Sequence, residues 1–302
     1  MESISIGEIM RRAQKKGVVV PGFNIPYLPM MEPVVRALKD TGTFGLIMVA
    51  RLEWMKFHAG SMAMIREEYE RQKDPRHTRL HLDHVPVIDE DHLVVDYERI
   101  ISEALDLGYD SVMIDGSRLT LEENIVATGR VVRMSHMSGI PVEAELGAVM
   151  GHEEGPLPPY EELYSSGKGF TAPEDAVRFI RETGADWLSV AIGNVHGAIS
   201  GAARNRRKIE ARLNIDHLRR ISEAVEVPLV LHGGTGIGKR FLIQSFRNGI
   251  AKINIATAIR QPYEKKMDQS ADEAREAVYQ EMLDLINHQL QITGSAEKLL
   301  GN

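Results

Sequence analysis

The stretch PLVLHGGTGI, residues 228–237, ends a continuous apolar run with a histidine, three glycines and a threonine. This pattern is typical of a buried strand that delivers a polar side chain to a functional rim and then turns tightly, because glycine lets the backbone approach a ligand closely. Such a strand would hold the imidazole of His232 in place. Many strand ends look like this one, so its meaning depends on how the other apolar runs end.

Seven further runs are continuously apolar rather than alternating, which is typical of parallel strands covered on both faces. Together with 228–234, the predicted strands are residues 18–25, 44–50, 78–84, 111–117, 141–147, 187–193 and 252–257. Amphipathic stretches lie between many of them, including 31–40, 97–107, 172–183 and 214–225. Eight strands alternating with helices predict an α/β fold, a (β/α)8 TIM barrel. No glycine-rich dinucleotide fingerprint follows the first run, which disfavours a doubly wound sheet.

We expect one domain over residues 1–302, because no linker or repeat divides the chain. Residues from about 258 to 302 are predicted to form a C-terminal helical extension, with an amphipathic helix over 270–290. Its apolar face would pack either on the barrel or on a second subunit, and the sequence leaves both possibilities open.

The composition is that of an ordinary globular protein, with 43% hydrophobic and 26% charged residues. The net charge of −7 argues against a nucleic-acid partner, since such proteins normally carry a basic face. The absence of cysteine excludes disulfides, thiolate metal ligands and a cysteine nucleophile. No signal-peptide pattern and no apolar run of roughly 20 residues is present, so we expect a soluble cytoplasmic protein with no membrane partner.

Polar residues gather where the predicted strands end. In a TIM barrel the catalytic groups come from these carboxyl ends and the loops after them, so the sequence predicts an active site there. The residues are Asn24, Asp83, His84, Asp115, Glu143, Glu145, His196, His232 and Asn254.

Three of them, His84, His196 and His232, would converge over the mouth of a barrel. Three imidazoles with an open fourth position make a catalytic zinc site. The alternative is that each is an ordinary hydrogen-bonded histidine at a strand end. Asp83 and His84 are neighbours, and a regular strand would point them to opposite faces. Both serve one site only if the strand ends or bulges there.

Seven short motifs follow one another along the chain. They are PGFNI at 21–25, HLDH at 81–84, VMIDGS at 112–117, VEAELG at 142–147, GNVHG at 193–197, LHGGTG at 231–236 and KINIAT at 252–257. Their order and spacing together are highly specific, although no single motif would be. In these motifs the chain resembles the class II, metal-dependent fructose-bisphosphate and tagatose-bisphosphate aldolases, and the resemblance covers nearly its whole length.

The resemblance implies a zinc ion bound by the three histidines, with Glu145 as a further carboxylate near the metal. Asp83 matches the acid that protonates the aldehyde oxygen, and Glu153 matches the carboxylate that exchanges a proton on dihydroxyacetone phosphate. Asn254 matches the residue that helps to hold the enediolate. The implied contacts to substrate and phosphate are Asn24, Gly197, Gly233, Gly234, Thr235 and Thr257. A monovalent cation, Na+ or K+, would lie at Val195, Gly197 and Gly233.

The activity implied is the reversible retro-aldol cleavage of a ketose (bis)phosphate to dihydroxyacetone phosphate and an aldehyde, through a zinc-stabilised enediolate. Such a reaction belongs to carbohydrate metabolism, including glycolysis. The family precedent also implies a homodimer or homotetramer.

The chain departs from the family pattern where substrate is bound. Ser200 takes the place of a lysine that meets a phosphate, and Ala50-Arg51 stands where a serine is common. Ala256 gives NIAT, as in the tagatose-bisphosphate branch. Our hypothesis is that recognition of an anionic end of the substrate has changed. Arg51 would supply the missing charge, or else one of Arg204, Arg206, Arg207 and Lys208.

Other functions stay open at this point. An aldolase of the same mechanism could act on a different anionic ketose, a sugar-phosphate epimerase needs the same stabilised enediolate, and a sugar-phosphate-binding barrel needs no turnover. A Schiff-base aldolase would need a lysine inside the barrel. Lys252 is expected at the bottom end of the eighth strand, in solvent, and Glu143 is expected to form a structural ion pair inside the barrel.

Overall fold

The computed structural model describes residues 4–147, 160–194 and 211–301. Eight strands form a closed parallel barrel in chain order, β1 to β8, in which β8 pairs with β1. The predicted TIM barrel is therefore confirmed. The strands are β1 Val20–Asn24, β2 Gly45–Ala50, β3 Thr78–Pro86, β4 Ser111–Asp115, β5 Val142–Leu146, β6 Trp187–Val190, β7 Leu229–Leu231 and β8 Ile250–Ile255.

Helices surround the barrel, and the four amphipathic stretches named above all form helices. A 3-10 turn covers Leu28–Met30, and a π-helical turn covers Leu285–Gln289. The α-helices of the described residues are α1 Ile6–Lys16, α2 Met31–Asp40, α3 Arg51–Lys56, α4 Met62–Gln72, α5 Tyr97–Asp106, α6 Leu121–Met137, α7 Tyr160–Ser166, α8 Pro173–Thr183, α9 Ile215–Ala224, α10 Lys239–Phe246, α11 Thr257–Glu264, α12 Ala271–Asp284 and α13 Ser295–Leu300.

The described residues form two apolar cores. The larger one lies between the outer face of the barrel and the surrounding helices. The smaller one joins the buried face of α1, including Ile9 and Met10, to Val20, Met48 and other side chains from the strands. The helix α1 was not predicted from the sequence. It begins at the N-cap Ser5 and ends at Gly17 in the left-handed conformation, as helices commonly do.

The C-terminal segment packs on the barrel unit itself. Helix α12 lies against α2 and α11, and α13 lies against α1. The buried residues of α12 are Ala274, Val278 and Met282, which belong to the larger core. Within the described residues, no helix is both long enough and apolar enough to span a bilayer.

A bulge interrupts the pairing of β3 with β4. The register shifts between Leu82 and Val85, and the backbone of His84 adopts a φ of 35°. A bulge adds one residue and re-aims the side chains beside it. The strand then continues to Pro86, so the predicted end at His84 was two residues short. This irregularity lies where the active site was predicted.

Candidate active site

Asp83, His84 and His232 come together at the mouth of the barrel. Each offers one ligand atom, and these three atoms lie within 4.8 Å of one another. The rings of His84 and His232 are 4.6 Å apart between centroids and inclined at 67°. Asp83 and His232 are buried, whereas the side chain of His84 is 24% exposed. Two imidazoles and one carboxylate therefore face the same point.

A second group joins His84 to Asp115 and Glu145, whose ligand atoms also lie within 4.8 Å of one another. The Nδ1 atom of His84 is 3.1 Å from Oδ2 of Asp115. Asp115 is itself fixed, because its Oδ1 accepts bonds from the amide and the hydroxyl of Ser117 at 3.0 and 2.6 Å. A carboxylate bonded to the imidazole in this way fixes the tautomer and orientation of a metal-ligating histidine.

His232 lies between two carboxylates of β5. Its Nε2 is 2.8 Å from Oε1 of Glu143, and its Nδ1 is 3.0 Å from Oε2 of Glu145. The alternation of side chains along a strand places Glu143 and Glu145 on the same face, two residues apart. Glu143 therefore holds the imidazole through Nε2. Glu145 lies beside Nδ1, the nitrogen of His232 that would face a metal ion.

Three carboxylates act on the imidazole of His84. Burial disfavours the imidazolium form of His84, but the carboxylates of Asp83, Asp115 and Glu145 outweigh it and raise the pKa of His84 to about 10. Burial likewise opposes ionisation of Asp83, yet the neighbouring His84 and Lys252 hold its pKa below the ordinary value. A pocket that attracts protons in this way would also attract a divalent cation.

The donor set fits a transition metal. Imidazole and carboxylate ligands suit Zn2+ and its neighbours rather than Mg2+ or Ca2+, which prefer oxygen alone. His84, His232 and Glu145 are the described residues that would hold it, and Asp115 and Glu143 support them.

Asp83 is held by two amide groups. Nδ2 of Asn24 donates to its Oδ2, and Nδ2 of Asn254 donates to its Oδ1, both at 2.9 Å. The two asparagines come from β1 and β8, the adjacent strands that close the barrel. The three predicted site residues therefore form one connected unit.

The expectation for Lys252 was wrong. Strand β8 begins at Ile250, so Lys252 is its third residue, and its side chain is fully buried inside the barrel. Its Nζ lies 2.7 Å from Oε2 of Glu143 and donates to Oδ1 of Asn254 at 2.7 Å. Glu143 does form the buried ion pair that was expected. Trp187 adds an indole N–H bond to the same oxygen at 2.7 Å.

The lysine also explains a deeper cluster. His81, Asp83 and Glu143 offer ligand atoms within 4.8 Å of one another, all from buried residues. Burial and the charge of Lys252 lower the pKa of His81 to about 3, so its imidazole is neutral. Its Nδ1 lies 2.8 Å from Oγ of Ser111. The buried ammonium group of Lys252 thus already pairs with the Glu143 carboxylate of this cluster.

Glu53 is a site residue that the sequence did not reveal. It lies in the first turn of α3, is 6% exposed, and accepts the amide of Ala50 at 2.7 Å. Its Oε2 is also 3.4 Å from Nδ2 of Asn24. Burial, with a smaller contribution from the charge of Asp83, raises the pKa of Glu53 to about 8. No local pattern signals it, because Ala50 lacks the side chain that marks a capping box.

Arg51 is the first residue of α3, directly after β2. Its guanidinium pairs with Oδ2 of Asp89 through Nη1 at 3.3 Å, and its side chain is 17% exposed. Asp89 also accepts the amides of Asp91 and Leu93. The charge proposed for substrate binding is therefore already anchored to the loop that follows β3.

The glycines after His232 have distinct structural reasons. Gly233 has a φ of 68°, a conformation that favours glycine. A Cβ atom on Gly234 would lie 2.7 Å from the side chain of Ile253 and 3.1 Å from the carbonyl oxygen of Asn254. Thr235 follows in the turn after β7, and Thr257 begins α11 just after β8, both partly exposed. These four residues follow the ends of β7 and β8, and their contacts to substrate and phosphate stay a prediction.

Several predicted site residues lie outside the described residues. They are the metal ligand His196, the proton-transferring Glu153, the cation-site residues Val195 and Gly197, and the departures Ser200, Arg204, Arg206, Arg207 and Lys208.

A closed barrel whose mouth gathers imidazoles and carboxylates around one point is the architecture of a metal-dependent barrel enzyme. The family model described as "Fructose-bisphosphate aldolase class-II" matches residues 4–298. The chain belongs to this family and is an aldolase, a carbon–carbon lyase. The family is generally metal-dependent and takes small phosphosugars as substrates.

Individual relatives agree with this assignment. The fructose-bisphosphate aldolases of Streptococcus pyogenes serotype M3 and Streptococcus pneumoniae serotype 4 are each 32% identical to this chain over 260 residues, covering 85% of it and 80% of the relative. The YdjI aldolase of Escherichia coli K12 superimposes with a TM-score of 0.76 at 29% identity, covering 97% of this chain and 99% of that one. A fructose-bisphosphate aldolase of Campylobacter jejuni shares the fold, with a TM-score of 0.72 at 18% identity over 96% of each chain.

Proposed function

We propose that this chain catalyses the reversible retro-aldol cleavage of a ketose phosphate or bisphosphate to dihydroxyacetone phosphate and an aldehyde. The observation that carries the proposal is the convergence of Asp83, His84 and His232, whose ligand atoms lie within 4.8 Å of one another. A general acid–base group next to a metal site is what the cleavage of a carbon–carbon bond beside a carbonyl group requires.

In the cleavage direction, Asp83 accepts the proton of the hydroxyl on the fourth carbon while the bond between the third and fourth carbons breaks. The electron pair of that bond passes to the carbonyl side and forms an enediolate, and the aldehyde leaves. Asp83 is ionised, because the charges of His84 and Lys252 hold its pKa below the ordinary value, and an ionised carboxylate can take up the proton. In the condensation direction the same group returns the proton to the aldehyde oxygen.

Asn254 would hold the enediolate, since its amide group lies beside Asp83. Glu153 would then exchange the proton on the carbon of dihydroxyacetone phosphate. The zinc ion would be held by His84, His196 and His232 together with Glu145, and when bound it supplies Lewis acidity for the negative charge that develops on the substrate.

The test is a retro-aldol assay on a panel of ketose mono- and bisphosphates, with metal analysis, before and after chelation and after addition of zinc. We expect chelation to abolish cleavage and zinc to restore it. His84→Ala should lose both zinc and activity. His136→Ala is the matched control, because His136 also pairs with an aspartate but lies half-exposed on α6.

Other outcomes would point to other functions. Cleavage that survives chelation, together with a substrate adduct that borohydride reduces onto the protein, would indicate a Schiff-base aldolase. Lys252 would then be the first lysine to examine. Inversion at a carbon without cleavage would indicate an epimerase. Zinc binding with no turnover of any ketose would favour a binding protein.

The monovalent cation and the oligomeric state are each measured directly. Dependence of the rate on K+ or Na+ would support the monovalent cation at Val195, Gly197 and Gly233. Sedimentation at micromolar concentration would test for a homodimer or homotetramer.

A further inference from the structure

Lys252 has no role in the proposed mechanism, although it lies directly beneath the reacting groups. Its side chain is fully buried, and a buried lysine is rare unless it is paired. One of its partners is the carboxylate of Glu143, at 2.7 Å. The other is Oδ1 of Asn254, also at 2.7 Å, two residues further along the same strand and on the same face.

The lysine determines which way the amide of Asn254 points. An ammonium group has three donors and no acceptor, so the atom of Asn254 that faces it is the carbonyl oxygen. The Nδ2 atom then faces Oδ1 of Asp83 at 2.9 Å, and an ionised carboxylate only accepts. The orientation of the Asn254 amide therefore satisfies both neighbours. In the reversed orientation the NH2 group would face the ammonium group of Lys252 and the carbonyl oxygen would face the carboxylate of Asp83, so neither hydrogen bond would form.

We propose that Lys252 is a positioning residue for the aldol reaction: it fixes the side chain of Asn254 so that the amide N–H groups face Asp83 and the substrate. This inference rests on the proposed function, because it assigns Lys252 a part in holding the enediolate through Asn254. Without the lysine, the buried carbonyl oxygen of Asn254 lacks its donor and the side chain turns to find another.

A purely structural role for Lys252 would also be consistent with its bond to Glu143. In that case the lysine would neutralise a buried carboxylate, and Asn254 would be a bystander. The two roles differ in whether the effect of removing the lysine depends on the presence of Asn254, which is what a double-mutant cycle measures.

The experiment compares Lys252→Met, Asn254→Ala and the double variant in retro-aldol turnover. We expect Lys252→Met alone to lower kcat by about 10- to 100-fold, as small displacements of a positioning group do, with KM changed much less. In the Asn254→Ala background the same substitution should change kcat by less than about twofold. An equal loss in both backgrounds would overturn the proposal.

Because Lys252→Met leaves the carboxylate of Glu143 buried without the ammonium group that neutralises it, the cycle is repeated in the Glu143→Gln background if the single variant does not fold. Any effect of Glu143→Gln on His232 is common to all members of that cycle and cancels. The same two outcomes then decide the question.

A crystal structure of the Lys252 variant provides a readout that does not depend on activity. We expect the Asn254 side chain to have left Asp83, and an unmoved Asn254 would overturn the proposal. If the wild-type protein shows no aldolase activity, the proposed function fails, while this structural result still tests the bond between Lys252 and Asn254.

Discussion

Asp83 and His84 are consecutive residues of one strand, yet their side chains contribute to the same cluster of ligand atoms. The bulge in β3 makes this possible, since the register shifts across these two residues and His84 has a φ of 35°. A residue other than glycine in this region of φ is strained by about 1 kcal/mol or more, and such strain collects at functional sites. The bulge thus brings the acid–base group and a metal ligand together from a single short motif.

We expect Asp115→Asn to weaken zinc binding by about 10- to 100-fold without unfolding the protein. The carboxylate of Asp115 orients the imidazole of His84 through a 3.1 Å contact, and an amide offers it less charge. The measurement is competition for zinc with a chromogenic chelator. Asp186→Asn is the control, because Asp186 pairs with His136 at the surface, far from the mouth. An unchanged zinc affinity in Asp115→Asn would show that His84 needs no such partner.

The barrel and much of its site could be predicted from the sequence, because parallel strands covered on both faces read as continuous apolar runs. The carboxyl ends of those runs placed Asn24, Asp83 and His232 together once the barrel was inferred. The irregularity in β3 could also be anticipated. Asp83 and His84 are neighbours that a regular strand would point to opposite faces, so they could serve one site only if the strand ended or bulged there.

The buried positions of Lys252 and Glu53 could not be predicted from the sequence. The predicted strand began at Lys252, two residues later than β8 does, so Lys252 was expected at the bottom end of the strand in solvent rather than inside the barrel. Its charge suggested solvent, whereas the deciding fact is a partner, Glu143, more than a hundred residues away in the sequence. Glu53 reaches the site because α3 starts immediately after β2, and that turn has no sequence signal of its own.

The buried carboxyl of Glu53 should make stability depend on pH. In the unfolded chain its pKa returns to about 4.5, whereas in the folded protein burial raises it to about 8. The stability that protonated Glu53 contributes is therefore fully present below about pH 4.5 and is lost as the pH rises through 8. Compared with Glu53→Gln, the metal-free wild type should lose a few kcal/mol of unfolding free energy across this range.

The measurement is denaturant unfolding of both proteins at a series of pH values after chelation. The glutamine side chain of Glu53→Gln keeps the acceptor for the amide of Ala50 but does not ionise in this range, so the pH-dependent difference isolates the titration. Glu67→Gln, at an exposed position of α4, is the control and should run parallel to the wild type. Parallel curves for Glu53→Gln would mean that Glu53 stays ionised in the folded protein.

Removal of Arg51 should weaken the binding of phosphorylated ketoses. If its guanidinium meets an anionic end of the substrate, the loss of that charged hydrogen bond should raise KM by about 10- to 100-fold with little change in kcat. Because Arg51 is paired with Asp89, the substitution is best made as Arg51→Ala in an Asp89→Asn background, compared with Asp89→Asn alone. If KM were unchanged for every ketose of the panel, Arg51 would not bind the anionic end of the substrate, and the basic run at 204–208 would be the remaining candidate.

The ion pair inside the barrel should matter for stability as well as for position. Lys252→Met should lower the free energy of unfolding by about 3–5 kcal/mol, because it leaves the carboxylate of Glu143 buried without its cation. Adding Glu143→Gln should recover most of the loss, since a neutral pair has no buried charge to compensate. Lys266→Met, at a lysine that faces Glu273 in solvent, should cost less than about 1 kcal/mol. Denaturant unfolding of the metal-free proteins measures these three variants against the wild type. If Lys252→Met were no more costly than Lys266→Met, Glu143 would have to take up a proton in the folded variant, and its unfolding would then show a new dependence on pH.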